Sequence, residues 1–174
     1  HKLKIGTIAD LIHYRTLKEK TVEKLYSKTI TIDGMSFKLK AWEDSIFQNL
    51  HLTFEVGNIK KSDAPLVRVH VPNVLHDMIG MDGFGKRMNI KEALKKIHES
   101  KCGVLLMIGT EQKNQSIMMD LEGKKNVQQP ETKTVGIGSQ ILKELGLTKI
   151  KLLATPVKYP SISGFDLEVI GFEK

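Results

Sequence analysis

Residues 135–159, "VGIGSQILKELGLTKIKLLATPVKY", carry a helix, a stop and a strand in one run. Gly136 to Leu145 reads as a helix, closed by Gly146 at the left-handed position where many helices end. "KIKLLAT", starting at Lys149, then reads as a strand. Upstream, "GVLLMIG" (103–109) is a continuous apolar run of the kind that forms a strand buried on both faces. Before it, Asn89 can cap a helix reaching about Ser100, with Glu92 as its capping-box partner. "LEVIGF" near the end supplies a last strand. The second half therefore alternates β and α, which predicts a layered α/β domain.

The first half has a different period. "KTITIDGMSFKLKAWED" alternates around Asp33-Gly34, a hairpin signal joining strands at 29–32 and 36–42. "HLTFEVG" and "PLVRVHV" are two further strands, separated by the surface loop "NIKKSDA". Ahead of the hairpin, Thr7 can cap a helix from Ile8 to about Tyr26, with Ile8, Leu11, Ile12, Leu17, Val22 and Leu25 near helical spacing. An antiparallel beginning and an alternating end give a mixed β-sheet flanked by helices. Residues 110–134 are polar and aperiodic and read as a long loop.

With 174 residues, 40% of them apolar and 27% charged, the chain suits one globular domain. The net charge is +7, yet Lys60-Lys61, Lys95-Lys96 and Lys124-Lys125 are scattered and aromatics make up only 6%. That pattern lacks the stacking platform of a single-strand binder and argues against nucleic acid as the partner. No apolar run approaches the ~18 residues of a membrane span. The lone Cys102 allows no internal disulfide and fits a reducing, cytoplasmic setting. A chain that opens on His1 is expected to be part of a longer one.

Functional chemistry concentrates in "VRVHVPNVLHDMIGMDGFGKRM" (67–88). His70, His76 and Asp77 could hold a divalent ion, but their spacing matches neither the helical i,i+4 pair nor a CxxC knuckle. A strand-end and a loop histidine are the plainer reading. Cys102 reads as a buried structural thiol rather than a nucleophile. Arg68, on a strand otherwise made of valines, can grip a phosphate with two donors or serve a structural ion pair. The loop Gly80–Gly85 fits no phosphate-loop fingerprint. The residues by themselves give an α/β domain with a candidate anion site and no identifiable catalyst.

Several motifs carry a resemblance. "TIADLIHYR" (7–15) resembles the segment joining the two halves of bifunctional riboflavin-biosynthesis proteins, in which a 3,4-dihydroxy-2-butanone 4-phosphate synthase precedes GTP cyclohydrolase II. "LVRVHV" is similar to that cyclohydrolase's L-V-R-V-H-S strand, and residues 135–159 resemble its Y-G-I-G-A-Q-I-L…K-Y run. The resemblance implies a cyclohydrolase-II-like domain over 28–174, preceded by a synthase exit segment and linker helix over 1–27.

Where the chain departs from that family, the resemblance implies lost catalysis. The family's zinc-binding H-S-E-C-(x10)-C-x-C would place its thiolates on Asn73, Phe84 and Lys86. A neutral amide, a phenyl ring and an ammonium cannot replace three thiolates, and without the ion no water is activated. The following glutamine falls on Asn89, already a helix cap. The nucleotide-contacting E-G-R becomes Glu111-Gln112-Lys113, and the substrate-contacting helix and loop behind it are expected to be lost. The family's D-x-R, assigned proton-acceptor and nucleophile roles, falls on Glu131 and Lys133; lysine lacks arginine's planar fork. Lys158 matches a nucleotide-contacting lysine, and Thr155 or Ala154 stands where a threonine is expected.

These matches imply a domain without GTP cyclohydrolase II activity or zinc, with Arg68, Glu111, Lys113, Thr155 and Lys158 as a ligand-site remnant. Its expected partners are an upstream synthase domain of the same chain and a second copy in a homodimer. That synthase would be a lyase using magnesium or manganese. The expected role is structural, in assembly; the alternative is a regulatory domain sensing GTP or phosphate.

Overall fold

The computed structural model describes residues 7, 11, 19–84, 87–110, 114–122, 132–155 and 167–174. A seven-stranded mixed sheet forms its centre, in the order β1-β2-β3-β5-β4-β6-β7. Strands β1 (Val22–Ile32), β2 (Met35–Asp44) and β3 (Leu50–Val56) form an antiparallel meander. Its first turn is Asp33-Gly34, with φ of +48° and +77°, the twist that suits a two-residue hairpin. Strands β4 (Leu66–His70), β5 (Gly103–Met107), β6 (Lys149–Leu153) and β7 (Glu168–Glu173) run parallel, and β5 joins the meander by pairing antiparallel with β3. The expected mixed α/β sheet is present.

Alternation along the central strands sends side chains into two separate cores. Helix α1 (Ile90–Glu99) covers one face, packing Ala93, Leu94 and Ile97 against Phe37, Phe54, Leu66, Leu105 and Leu153. Helix α2 (Asn114–Leu121) follows β5, and helix α3 (Thr132–Glu144) covers the other face. There Ile141, Leu142 and Leu145 meet Val67, Val104, Leu106, Ile150 and Leu152. Strands buried on both faces explain the near-continuous apolar runs of β4 and β5. The capping box at Asn89 and Glu92 forms as expected, and Gly146 follows α3 at φ +84°.

Three local expectations change. The helix expected to reach Tyr26 gives way by Val22, which enters β1 opposite Asp44, ahead of residue 28. Pairing with β2 there outweighs the helical spacing of Val22 and Leu25. Residues 110–134 are not one loop: α2 lies within them, and α3 starts at Thr132, before the expected Gly136. The loop after β3 carries a short helical turn, Ile59–Lys61, that buries Ile59 in the α3-side core. Among the described residues, no helix is long and apolar enough to cross a membrane.

Candidate functional site

The parallel strands β4, β5 and β6 end on the same side of the sheet, the side where open α/β sheets place their ligands. Along β4, Val67 and Val69 face the α3-side core. By alternation, Arg68 and His70 share the opposite face. The Arg68 Nη1 donates to the carbonyl of Leu153 at 2.9 Å, joining the ends of β4 and β6. The backbone N–H of Ile108 donates to the His70 carbonyl at 2.9 Å, bringing in the end of β5.

Beyond His70 the chain makes a single π-helical turn, Val74–Ile79, which carries Asp77 back to the strand end. The Asp77 Oδ2 accepts the His70 Nε2–H at 3.0 Å and the Asn73 backbone N–H at 2.7 Å. Its Oδ1 accepts the Ile90 N–H at 2.9 Å, at the start of α1. One carboxylate thus ties β4, the π turn and α1 together.

Burial is the main force lowering the His70 pKa; Asp77 opposes it, and the charges of Arg68 and Arg87 lower it further. Burial pushes the Asp77 carboxyl up, but hydrogen bonds from Asn73, His70 and Ile90, with the His70 charge, outweigh it and hold the group below its usual value. The two shifts agree on one state, a carboxylate beside a neutral imidazole. A carboxylate only accepts, so Nε2 carries the proton and Nδ1 is left as an acceptor. That Nδ1 is buried and has no hydrogen-bond partner among the described residues.

Two of the positions matched to zinc thiolates can be seen directly. Asn73 is buried, with its Oδ1 accepting the His76 N–H at 3.0 Å and its Nδ2 donating to Asp120 on α2 at 2.7 Å. The ring of Phe84 lies 5.0 Å from that of His76. His76 hydrogen-bonds the Arg87 carbonyl at 3.1 Å, so it is engaged away from His70, and the His70–His76–Asp77 metal set does not assemble. Neither position fits zinc: both ends of the Asn73 amide are occupied and Phe84 offers no donor atom. Among the described residues, no cluster of three or more His, Cys, Asp or Glu could hold a metal ion.

The remaining site expectations are only partly visible. Thr155 is exposed just past the end of β6, next to Ala154. Lys133 lies in the first turn of α3, with its side chain outside the described part. Lys86, Glu111, Lys113, Glu131 and Lys158 lie outside the described residues. The sequence reading did not find the joining role of Asp77, or Asp120 as the partner of Asn73. Beside His76, Asp77 carries in the sequence only the signal of a metal ligand. Asp120 belongs to a stretch read as aperiodic.

A second histidine–carboxylate pair sits at the same end of the sheet. The His51 Nε2 meets the Asp44 Oδ2 at 3.1 Å, and both residues are fully buried. The His51 Nδ1 accepts the Gly109 N–H at 3.1 Å. The Asp44 carboxylate also accepts the backbone N–H groups of Ile46, Phe47 and Asn49. A Cβ on Gly109 would lie 1.9 Å from the Leu50 carbonyl oxygen, so only glycine fits this approach.

Fold and site together define an α/β domain with a polar pair at the ends of its parallel strands. Residues 23–174 match the family model described as GTP cyclohydrolase II, and the chain belongs to that family. A 3,4-dihydroxy-2-butanone 4-phosphate synthase of Pseudomonas aeruginosa is 36% identical over 178 residues, covering 99% of this chain and 48% of the relative. The riboflavin biosynthesis protein RibBA of Aquifex aeolicus is 32% identical over 186 residues, with 98% and 46% covered. A crystal structure of RibBX from A. baumannii, described as a two-domain 3,4-dihydroxy-2-butanone 4-phosphate synthase, superposes with a TM-score of 0.65 at 31% identity. That match covers 100% of this chain and 46% of the other. The chain spans about half the length of the curated relatives it matches.

Proposed function

We propose that this chain is a GTP cyclohydrolase II-like domain without cyclohydrolase activity, joined to a 3,4-dihydroxy-2-butanone 4-phosphate synthase of riboflavin biosynthesis and serving its assembly. The observation that carries this reading is the state of Asn73. Where the family resemblance calls for a thiolate there is a buried amide, engaged with His76 at one end and Asp120 at the other. Phe84, packed on His76, supports it at a second such position. Neither position supplies a thiolate that would hold a zinc ion, the group that would activate water for this chemistry. The synthase association is supported by relatives that carry that name at about twice this length. Elemental analysis of the purified protein, with a formate assay on GTP, tests the loss of catalysis. Substoichiometric zinc and no formate are expected; stoichiometric zinc with formate release would overturn it.

A second reading, a domain that senses a nucleotide or phosphate, is favoured by the Arg68 guanidinium, a donor to phosphate, sharing a face with the buried acceptor His70 Nδ1, which suits an N–H or O–H of a nucleotide. Calorimetric titration separates the two. Heat with GTP or inorganic phosphate that disappears in Arg68→Ala supports sensing, and no heat at millimolar ligand removes it.

A further inference from the structure

We infer that the tip of the β2–β3 connection, with Ile46 and Leu50 at its centre, is the surface on which the preceding half of the two-domain chain docks. This rests on the reading above that a synthase half precedes the domain. Ile46, Phe47 and Leu50 are 55%, 42% and 52% exposed, three large apolar side chains within five residues. Exposed apolar groups are common singly; a cluster on a rigid support marks an interaction site.

The loop tip is braced by a network of hydrogen bonds. Asp44 accepts the backbone N–H groups of Ile46, Phe47 and Asn49, and His51 holds Asp44 from beneath while accepting the Gly109 N–H from the end of β5. The backbone that carries Ile46 and Leu50 is therefore held in one geometry, which lowers the entropy cost of docking. The register of β1, β2 and β3 places Tyr26, 54% exposed, on the same sheet face as Leu50.

The occupant follows from where the incoming chain is fastened. The Thr21 carbonyl accepts the Ser45 N–H at 2.8 Å and the Ser45 hydroxyl at 3.3 Å. The Thr21 hydroxyl also hydrogen-bonds Gln140 on α3, and Lys20 pairs with Glu144 at 2.9 Å. The chain thus enters the domain one residue from Ile46. A preceding domain is tethered through this same fastening point, at an effective concentration set by the length of the connecting chain. Relatives of about twice the length supply a body of the right size to cover it.

The test uses the full two-domain chain and the pair Ile46→Lys with Leu50→Lys. Lysine is chosen because Asp44 and Glu43 lie alongside, and neither original side chain belongs to the buried core. Docking predicts a larger radius of gyration in the double variant, with synthase turnover retained. Cleavage ahead of Lys20 should be roughly tenfold faster, the ratio expected for about 1.4 kcal/mol of lost contact. Unchanged scattering and cleavage in a chain that does carry the synthase half would overturn the docking surface and leave the functional reading standing. A gene with no synthase sequence upstream would instead overturn the functional reading. Loss of a concentration-dependent oligomer, with the two halves still compact, would assign the patch to a second copy and also overturn the inference. If turnover falls, Ile46→Ser with Leu50→Thr repeats the comparison without added charge.

Discussion

Two histidine–carboxylate pairs stand at one end of the sheet, and they differ in one atom. In His51–Asp44 every ring nitrogen is used: Nε2 reaches the carboxylate and Nδ1 accepts the Gly109 N–H. In His70–Asp77 the carboxylate takes three hydrogen bonds against the four on Asp44, and the ring keeps a buried Nδ1 with no partner among the described residues. A saturated pair braces a fold. An unsaturated one carries the cost of a desolvated acceptor, as sites built for ligands do. The β4 end thus keeps a buried acceptor on the Arg68 face, while in the turn beyond it Asn73 bonds His76 and Asp120 and Phe84 packs on His76.

The brace should be the more costly to break. Asp44→Ala leaves three backbone N–H groups and the His51 ring without their acceptor, and should cost about 3–5 kcal/mol, read as a fall in Tm and in the denaturant midpoint. Asp77→Ala removes three hydrogen bonds from a partly buried carboxylate and should cost about 2–3 kcal/mol. If Asp77 proved the costlier, the ranking of brace over site would be reversed. Asn73→Ala should cost about 1–2 kcal/mol, and a cycle with Asp120→Ala should show the two losses to be coupled. The smallest effect belongs to Phe84→Leu, about 1 kcal/mol or less, because only the ring contact with His76 is lost.

Acid sharpens the same contrast. The fold holds His70 below its ordinary value of 6.5, so its neutral form is favoured. The stability this contributes is complete above pH 6.5 and is lost as the pH falls from there through the folded-state value. Asp77 is held below 3.8, so its contribution is present above that pH and lost only as the pH falls through its own lower folded value. Denaturant melts across this range should show two acid limbs; His70→Gln should abolish the one nearer neutrality and weaken the Asp77 limb, which loses the His70 charge. A pH-independent difference between the two proteins would contradict a buried neutral His70.

The fold was readable wherever local chemistry agreed with tertiary pairing: the Asp33-Gly34 turn, the Asn89–Glu92 box and the apolar strands β4 and β5 all fall where their residues suggest. Val22 and Leu25 misled because two spaced apolar residues satisfy a helix as well as a strand, and only the partner β2 distinguishes them. The helix α2 was hidden because its residues lack a clear apolar stripe. Within the site, Arg68 and His70 stood out as polar residues on a valine strand. What they touch depends on a π turn that returns Asp77 to the strand, and no sequence period announces such a turn. The roles proposed for Asn73 and Phe84 rest on the family spacing; their contacts rest on the fold.

The central claim is that the loop after β4 holds its shape without zinc. Amide exchange across residues 73–90 of the full chain, with chelator, with excess zinc and with neither, tests it at the loop itself, whatever metal another domain binds. The account predicts one exchange profile under all three conditions. Protection of these amides by zinc, reversed by chelator, would contradict it.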